Sequence, residues 1–383
     1  MENFEIEVMD SSVAPAEGAI IKSIGVGGGG SNMINHMVEM KISQIDLIVA
    51  NTDVQALDSS LAPYKIQIGK NVSRGRGCGM IPEKGKEAAI EAYDEIKDSL
   101  SGADMVFVSA GLGGGTGTGA APIVAQAAKE NGSLTVGVVT TPFKFEGRKR
   151  TKLAEAGLQE LKKECDSIIV IPNERLLSVV DKNLGVKESF KLVDDILCQA
   201  VSGISNVIFA HSSNDINLDF NDVRTVMSHK GLALMGVGES EGQNAAYEAT
   251  IQAISSPLLG DISIKGAQGI LVHFNIHPSY PIVDISEAMN TLEEFADDDA
   301  NVIFGTTTDE KLPEDKVIIT IIATGFEKEE FGSNEGESST PTVSTPSKPV
   351  NVPKERQRRV IQVVGAENES YFDTPTFLRE QRD

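Results

Sequence analysis

Short apolar runs rich in valine and isoleucine alternate with helix-like segments over residues 19–171, and this alternation limits the folds open to the chain. A strand followed by a helix and then by another apolar strand forms a β-α-β unit, whose strands are parallel and buried on both faces. We therefore predict an α/β fold built on a parallel sheet. The apolar runs occupy residues 19–26, 47–51, 105–109, 134–140 and 167–171.

A long helix and a second, smaller domain are predicted after this sheet. Apolar side chains recur every three or four positions between residues 187 and 210, where Gly203 is the one glycine or proline, so a single helix is expected. Strand-like and helix-like segments then follow up to residue 326, a texture typical of an α+β domain. The predicted division is a flexible acidic leader (1–18), a parallel-sheet domain (19–186), a central helix (187–211), an α+β domain (212–326), a disordered linker (327–365) and a docking peptide (366–383).

The carboxyl-terminal tail combines a polar segment with a final segment that is richer in aromatic residues. Residues 327–365 hold four prolines and a single aromatic, too little apolar surface to offset the entropy of ordering. Residues 370–379 regain three aromatics and a leucine. This pattern predicts a partner-docking peptide on a flexible tether, and a frayed tail with chance hydrophobics is the alternative.

Charge and cysteine usage exclude several classes of protein. The 383 residues carry 34 Lys and Arg against 56 Asp and Glu, a formal net charge of −22, which argues against nucleic-acid binding. The three cysteines are far apart and the histidines are five, so neither a disulfide framework nor a zinc site is expected. Residues 1–18 hold five acids and no base, and no apolar run approaches 18 residues, so we expect a cytoplasmic protein without direct membrane insertion.

Two glycine-rich segments stand between a predicted strand and a predicted helix. The first glycine segment, residues 25–32, satisfies the GxGxxG pattern and precedes a helix predicted at 33–41. Glycines let a ligand approach the backbone, and a helix start offers free N–H groups, so a phosphate is the natural occupant. Alone, this pattern leaves open a dinucleotide fold or a tight structural turn.

The second glycine segment, residues 110–119, makes a nucleotide site the stronger interpretation. From Gly113 to Gly119 it holds five glycines and two threonines, so successive N–H groups can surround an anion. Two such segments at neighbouring strand ends would grip one polyphosphate from two sides. A Rossmann enzyme has no use for the second, and the chain has no GxxxxGK[ST] sequence.

The run from Gly113 to Gly119 resembles the signature of the tubulin and FtsZ superfamily of GTPases, and other segments are similar to the bacterial FtsZ family. The resemblance covers roughly residues 19–326 and the tail; Ser31 departs from it, since relatives often carry Gly or Asn there. The further similar segments are 24–32, 51–53, 141–150, 171–173, 217–222 and 374–379.

The resemblance implies a GTP-hydrolysing cytoskeletal protein that polymerises head-to-tail into the filaments of the division ring, at mid-cell. It implies GTP and GDP as ligands, with Mg²⁺ held mainly by the GTP phosphates and no protein metal ligand. Residues 370–383 would dock membrane-tethering and regulatory division proteins. The loop with Gly75, Gly77 and Gly79 would close near the γ-phosphate.

The resemblance also assigns the nucleotide contacts. Ribose and phosphate contacts fall to Glu146 and Arg150, although these two could form only an exposed ion pair, and Asn173 would join them at the sugar or base edge. The phosphate-binding residues would be Gly28, Gly29, Gly30, Ser31, Asn32, Gly113, Gly114, Gly115, Thr116 and Gly117.

Base recognition is expected at the start of the central helix. Phe190 can stack on the purine, and Asp194 can accept hydrogen bonds from guanine N1–H and the 2-amino group, donors that adenine lacks. Two alternatives stay open: Phe190 lies on the apolar stripe of the helix and can be partly core, and Asp195 can be the reader instead.

Asn217, Asp219 and Asp222 form an NxDxxD pattern beyond the central helix. By spacing alone, the two acids could simply cap a helix and compensate its dipole. The resemblance implies that all three are catalytic and complete the site of the next subunit, where they orient the water that attacks the γ-phosphate. Head-to-tail contact of this kind is open-ended and generates filaments.

Two other functions remain to be separated from this one. A nicotinamide-dependent Rossmann oxidoreductase is supported by the GxGxxG pattern alone, and the second glycine segment argues against it. A non-hydrolysing, nucleotide-binding tubulin-like regulator would lack the acids of the NxDxxD pattern, and here they are intact.

Overall fold

The computed structural model describes residues 18–42, 44–176, 185–209, 219–256, 259 and 264–326. The predicted leader, the linker, the docking peptide and Asn217 lie outside the described residues.

Ten strands form the sheet. They are β1 (Ile21–Val26), β2 (Asp46–Asn51), β3 (Tyr64–Gln67), β4 (Met105–Gly111), β5 (Leu134–Thr141), β6 (Ser167–Pro172), β7 (Gly231–Glu241), β8 (Gly269–Ile276), β9 (Asn301–Thr308) and β10 (Lys316–Thr324).

Eleven α-helices are described, with a short 3-10 helix at Lys144–Glu146. They are α1 (Gly27–Glu39), α2 (Val54–Ser59), α3 (Pro82–Glu91), α4 (Tyr93–Ser99), α5 (Thr116–Glu130), α6 (Arg148–Glu164), α7 (Asn173–Leu176), α8 (Val186–Phe209), α9 (Phe220–Met227), α10 (Ala245–Ile254) and α11 (Ile282–Phe295).

The strands lie in the order β3-β2-β1-β4-β5-β6-β7-β10-β8-β9. Neighbours from β3 to β7 are parallel, so the predicted α/β fold with a parallel sheet is confirmed. The α+β part is continuous with that sheet, because the start of β7 pairs with β6 from Ser167–Gly231 to Ile169–Ala233. Beyond β7 the sheet becomes mixed, with β10 antiparallel to both β7 and β8. The domain boundaries given above stay a prediction.

Each face of the parallel strands has its own core. Side chains on one face, such as Phe107 and Val136, pack with α1 and α8, and alternate residues such as Val108 pack with α3 and α5. A third core lies under α10 and α11 and includes Phe274. The cysteines Cys78, Cys165 and Cys198 are free and buried in these cores.

The predicted central helix is confirmed as α8, with 24 residues. Val201 and Ile204 on its inner side have no exposed surface. By length and composition Glu188–Phe209 could cross a membrane, with a mean hydropathy of 1.4, although we expected no such segment. About three fifths of it is buried inside the protein (61%), so packing against α1 and the sheet accounts for its apolar character.

The helix α8 carries the chain from one edge of the sheet to the other. Near its start, Phe190 contacts Phe143, which follows β5 and so lies at the edge where the parallel strands end, here called the carboxyl edge. After α8 and α9, the chain enters β7 at Gly231, which pairs with the first residue of β6. At 1.5 Å per residue, α8 spans about 36 Å. The helix α9, which precedes β7, therefore lies at the opposite, amino edge.

One helix start and two strands differ from the sequence prediction. Helix α1 begins at Gly27 rather than at residue 33, so the first glycine segment forms its opening turn. Strands β3 and β9, at the two edges of the sheet, were missed, because β3 is short and β9 is rich in threonine with little apolar alternation.

Candidate nucleotide site

The order of the parallel strands fixes where a ligand can bind. From β3 to β6 it is 3-2-1-4-5-6, so connections run in opposite directions on either side of the β1–β4 pair. Ligands of open α/β sheets bind at such a switch point, outside the carboxyl ends of the strands. Both glycine segments begin here, since Val26 of β1 pairs with Ala110 of β4.

The first glycine segment presents the amino end of α1. Val26 precedes the helix and makes no side-chain cap, so the first-turn N–H groups have no side-chain acceptor there. Gly28 and Gly29 in this turn are exposed. Free N–H groups and the positive end of the helix dipole together favour an anion.

The second glycine segment presents the amino end of α5 beside it. Gly115 precedes α5 and likewise makes no side-chain cap. The turn before it is fixed from within, because Gly113 has a φ of +99° and its N–H donates to Oγ1 of Thr118 at 2.8 Å. The Thr118 hydroxyl therefore stabilises the second glycine segment itself.

The two segments touch each other through positions where a side chain does not fit. A Cβ atom at Gly27 would lie 2.8 Å from the backbone nitrogen of Gly117, and one at Gly29 would lie 2.9 Å from Gly111. A third loop closes on them, since a Cβ at Gly115 would lie 2.5 Å from the carbonyl oxygen of Gly79. The glycines thus bring two helix amino ends side by side, and the binding of one polyphosphate between them stays a prediction.

Two hydroxyls predicted to face phosphate already have partners within the protein. Ser31 is buried and donates to the carbonyl oxygen of Gly27 at 2.7 Å, and it accepts from Nδ2 of Asn51. Oγ1 of Thr116 lies 2.7 Å from Oγ1 of Thr52. Backbone N–H groups are therefore the more direct phosphate donors. Asn51 and Thr52 were not among the predicted contacts, although their position at the carboxyl end of β2 indicated this edge.

Glu146 and Arg150 lie against the second glycine segment. They stand on either side of Gly147, whose φ is +100°, rather than on one helix, and Nη1 of Arg150 lies 2.7 Å from Oε2 of Glu146. The Arg150 stem covers Gly113, where a Cβ would come within 2.8 Å of its Cγ. Glu146 and Arg150 therefore form an ion pair and also lie beside the second glycine segment.

Several buried polar atoms have no hydrogen-bond partner within the described part of the chain. Those near this edge include Nε of Arg150 and Oδ1 of Asn173, which follows β6 and is 6% exposed. Buried polar groups are normally hydrogen-bonded, so unpaired polar atoms at the carboxyl edge are consistent with a ligand-binding site. Their positions fit the predicted ribose contacts.

The predicted base contacts lie at the start of α8. Phe190 is 41% exposed and meets Phe143 edge-to-face, with ring centroids 5.5 Å apart, so part of its ring remains open for stacking. Burial, with a smaller contribution from the Asp195 charge, raises the pKa of Asp194 to about 6, while His36 acts in the opposite direction. Oδ1 of Asp195 lies 2.5 Å from Nε2 of His36, which favours Asp194 as the reader.

The predicted catalytic acids lie elsewhere. Asp219 caps α9 by accepting from the backbone N–H of Asn221 at 3.1 Å, which is the structural role the spacing allowed. Asp222 is exposed in the first turn of α9. Because α8 separates α9 from the carboxyl edge by about 36 Å, neither acid reaches the glycine segments of its own chain.

Metal binding by side chains alone has no support in the part of the chain that the structure describes, where no group of three or more His, Cys, Asp or Glu could hold an ion. The neutral amides of the glycine segments fit a phosphate that brings its own cation. Mg²⁺ would then rest mainly on phosphate oxygens, where it would neutralise their charge.

The fold and the site define an α/β protein in which two helix amino ends lie side by side at the switch point of the sheet. Residues 20–181 match the family model for the GTPase domain of the Tubulin/FtsZ family. Residues 231–327 match the model for the FtsZ family C-terminal domain. The chain belongs to the FtsZ family, whose GTPase domain assigns it GTP binding and hydrolysis.

Solved structures agree with this assignment. An empty dimer of FtsZ from M. jannaschii is 42% identical, with 81% of this chain and 89% of that chain covered and a TM-score of 0.76. CetZ1 from Haloferax volcanii, a GDP-bound monomer, is 21% identical over 80% of this chain and 94% of its own, with a TM-score of 0.67. CetZ2, a GTPγS-bound protofilament, is 20% identical over 81% and 94%, with a TM-score of 0.68. The two CetZ likenesses show the fold alone.

A pair of glycine substitutions tests the geometry of the second glycine segment. Gly113→Ala should destabilise the nucleotide-free protein by about 1–3 kcal/mol, because alanine is strained at a positive φ and meets Arg150. Gly114→Ala is the matched control, since its Cβ would meet nothing within 4 Å. Thermal unfolding of both variants checks this, and equal melting temperatures would contradict the described loop.

Proposed function

We propose that this GTPase polymerises head-to-tail and that each nucleotide site is completed by the next subunit. The observation that supports the proposal is the distance between the two groups of predicted site residues. The predicted nucleotide contacts lie at the carboxyl edge, and the exposed acids of α9 lie at the amino edge. A contact that joins unlike surfaces and does not close a ring generates a filament.

The chemistry divides between the two halves. The N–H groups of the glycine segments and Arg150 bind and orient the phosphates. Asp219 and Asp222 of the next subunit, with Asn217, accept hydrogen bonds from a water and aim it at the γ-phosphate. The carboxylates of Asp219 and Asp222 polarise this water as it attacks the γ-phosphate. Hydrolysis is thereby coupled to assembly.

Guanine selection rests on Asp194 in this proposal. Its carboxylate accepts from N1–H and the 2-amino group of guanine, and adenine would leave this half-buried acceptor without partners. Phe190 supplies a partly open ring for the base face. The excess of acidic residues over basic ones does not oppose GTP, because the phosphates meet backbone N–H groups rather than surface charge.

The proposed cellular role is formation of the division ring at mid-cell, from the cytoplasm. Family membership supports a filament-forming GTPase, and M. jannaschii FtsZ is the relative with the higher identity. Residues 370–383 would dock membrane-tethering and regulatory division proteins, which supplies the ring with an attachment.

GTP hydrolysis should require contact between neighbouring subunits. GTP rather than ATP should be hydrolysed, and the rate per molecule should rise steeply above a critical protein concentration, because the acids come from another subunit. Phosphate release and light scattering, measured together over a dilution series with GTP, GDP and ATP, check this. A rate per molecule that is independent of concentration would contradict site completion in trans, and binding without turnover would indicate a regulator.

Loss of an α9 carboxylate should separate binding from chemistry. Asp222→Ala should retain GTP affinity and lower kcat at least about 100-fold, because the water loses an acceptor. Asp284→Ala, an acid in the first turn of α11, is the matched control and should retain activity. Calorimetric GTP titration and steady-state phosphate release distinguish the roles; loss of GTP binding by Asp222→Ala would mean that the residue is structural.

GTP affinity should depend on the ionisation of Asp194. Its raised pKa of about 6 means that the free protein holds a proton there at lower pH. Guanine binding must then displace the proton, so GTP affinity should fall about tenfold per unit below pH 6, while ATP affinity stays level. Titrations between pH 5 and 8 check the slope. An unchanged slope in Asp194→Asn would assign it to another group.

The docking role of the tail is separable from catalysis. A chain that ends at residue 369 should hydrolyse GTP at the full rate and fail to bind the membrane-tethering partner. Co-sedimentation of preformed filaments with vesicles that carry the partner measures this. Retention of the truncated filaments on those vesicles would place the docking site elsewhere.

A further inference from the structure

A histidine joins the helix that begins at the first glycine segment to the helix that carries the base contacts. Nε2 of His36, in the third turn of α1, lies 2.5 Å from Oδ1 of Asp195 on α8. The His36 side chain is 11% exposed and that of Asp195 is 37% exposed, so water screens this contact only in part. Nδ1 of His36 faces Oε2 of Glu39 at 3.8 Å. The ring thus stands between carboxylates of two helices.

A second contact holds the same two helices one turn further along. Sγ of Cys198 on α8 lies 3.5 Å from Sδ of Met40, the residue that ends α1. Burial raises the pKa of Cys198 to about 11, so this thiol is neutral and contributes packing rather than charge. Contacts at two successive turns fix the position of α8 along α1.

This junction relates the two ends of a bound nucleotide. The opening turn of α1 belongs to the phosphate site, and Asp194 on α8 belongs to the proposed base site. A nucleotide has a fixed distance between its phosphates and its base, so both ends are satisfied only if the helices keep their relative position. His36 contacts the residue next to Asp194.

We propose that His36 is a positioning residue for guanine recognition, which acts through Asp195 to hold the Asp194 carboxylate at the base while α1 holds the phosphates. This inference rests on the proposed role of Asp194 as the base reader. His36 would not touch the nucleotide itself.

The charge of the ring has an effect beyond position. The charged groups that it faces are Glu39 on α1 and the Asp194–Asp195 pair on α8. His36 lowers the pKa of Asp194, whereas Asp195 raises it. Removal of the ring should therefore increase the protonated fraction of Asp194 near pH 6. At pH 8 the carboxylate is ionised with or without the histidine.

Two substitutions at position 36 distinguish a role of His36 in positioning Asp195 from a role in packing alone. His36→Gln replaces the imidazole by a neutral amide, and His36→Arg places a permanent positive charge beside Asp195. His277→Gln makes the same change at a histidine in the turn after β8, remote from α1, and is the matched control. GTP and ATP affinities of the full chain are measured by calorimetry at pH 6 and pH 8.

We expect His36→Gln to weaken GTP binding about fivefold at pH 6 and less than twofold at pH 8, with ATP binding unchanged. His36→Arg and His277→Gln should match the unaltered protein. Equal weakening of GTP and ATP at both pH values would overturn the inference and make His36 a packing residue of α1, as would a His36→Gln variant without any effect. An unaltered protein that does not prefer GTP over ATP would instead refute the role of Asp194.

Discussion

Backbone N–H groups at the amino ends of α1 and α5 are the feature on which the site depends. They meet because β1 and β4 are neighbours, and because the glycines leave no side chain between the two turns. A Cβ at Gly30, for example, would lie 2.4 Å from the carbonyl oxygen of Ser109. In the proposed function, backbone dipoles bind the polyphosphate of an acidic chain, and the stem of Arg150 lies across the second glycine segment.

The sequence was informative wherever function depends on local pattern. Alternating apolar runs predicted the parallel sheet, the spacing of apolar residues predicted α8, and the glycine segments predicted the anion site. The sequence could not predict contacts between distant segments. Examples are the pairing of β6 with β7, which joins the two parts into one sheet, and the contact of the Arg150 stem with Gly113. The internal partners of Ser31 and Thr116 were equally hidden, since a hydroxyl beside a glycine run suits a ligand or the chain itself.

The length of α8 connects binding to assembly. A helix of about 36 Å places the acids of α9 at the edge opposite the glycine segments, which is the separation that the proposed chemistry in trans requires. The formal net charge of −22 acts against association, because like-charged subunits repel at low ionic strength. Divalent cations and salt should therefore control how readily the two halves meet.

The central claim is that a complete site consists of two subunits, and mixing two inactive variants tests it most directly. Asp222→Ala keeps the nucleotide edge and lacks an acid; Asp194→Ala keeps the acids and lacks the base reader. If sites are completed in trans, an equimolar mixture should recover up to about a quarter of the unaltered GTPase rate, the share of contacts that pair one intact half with the other. A mixture as inactive as its components, at concentrations where the unaltered protein assembles, would contradict the account.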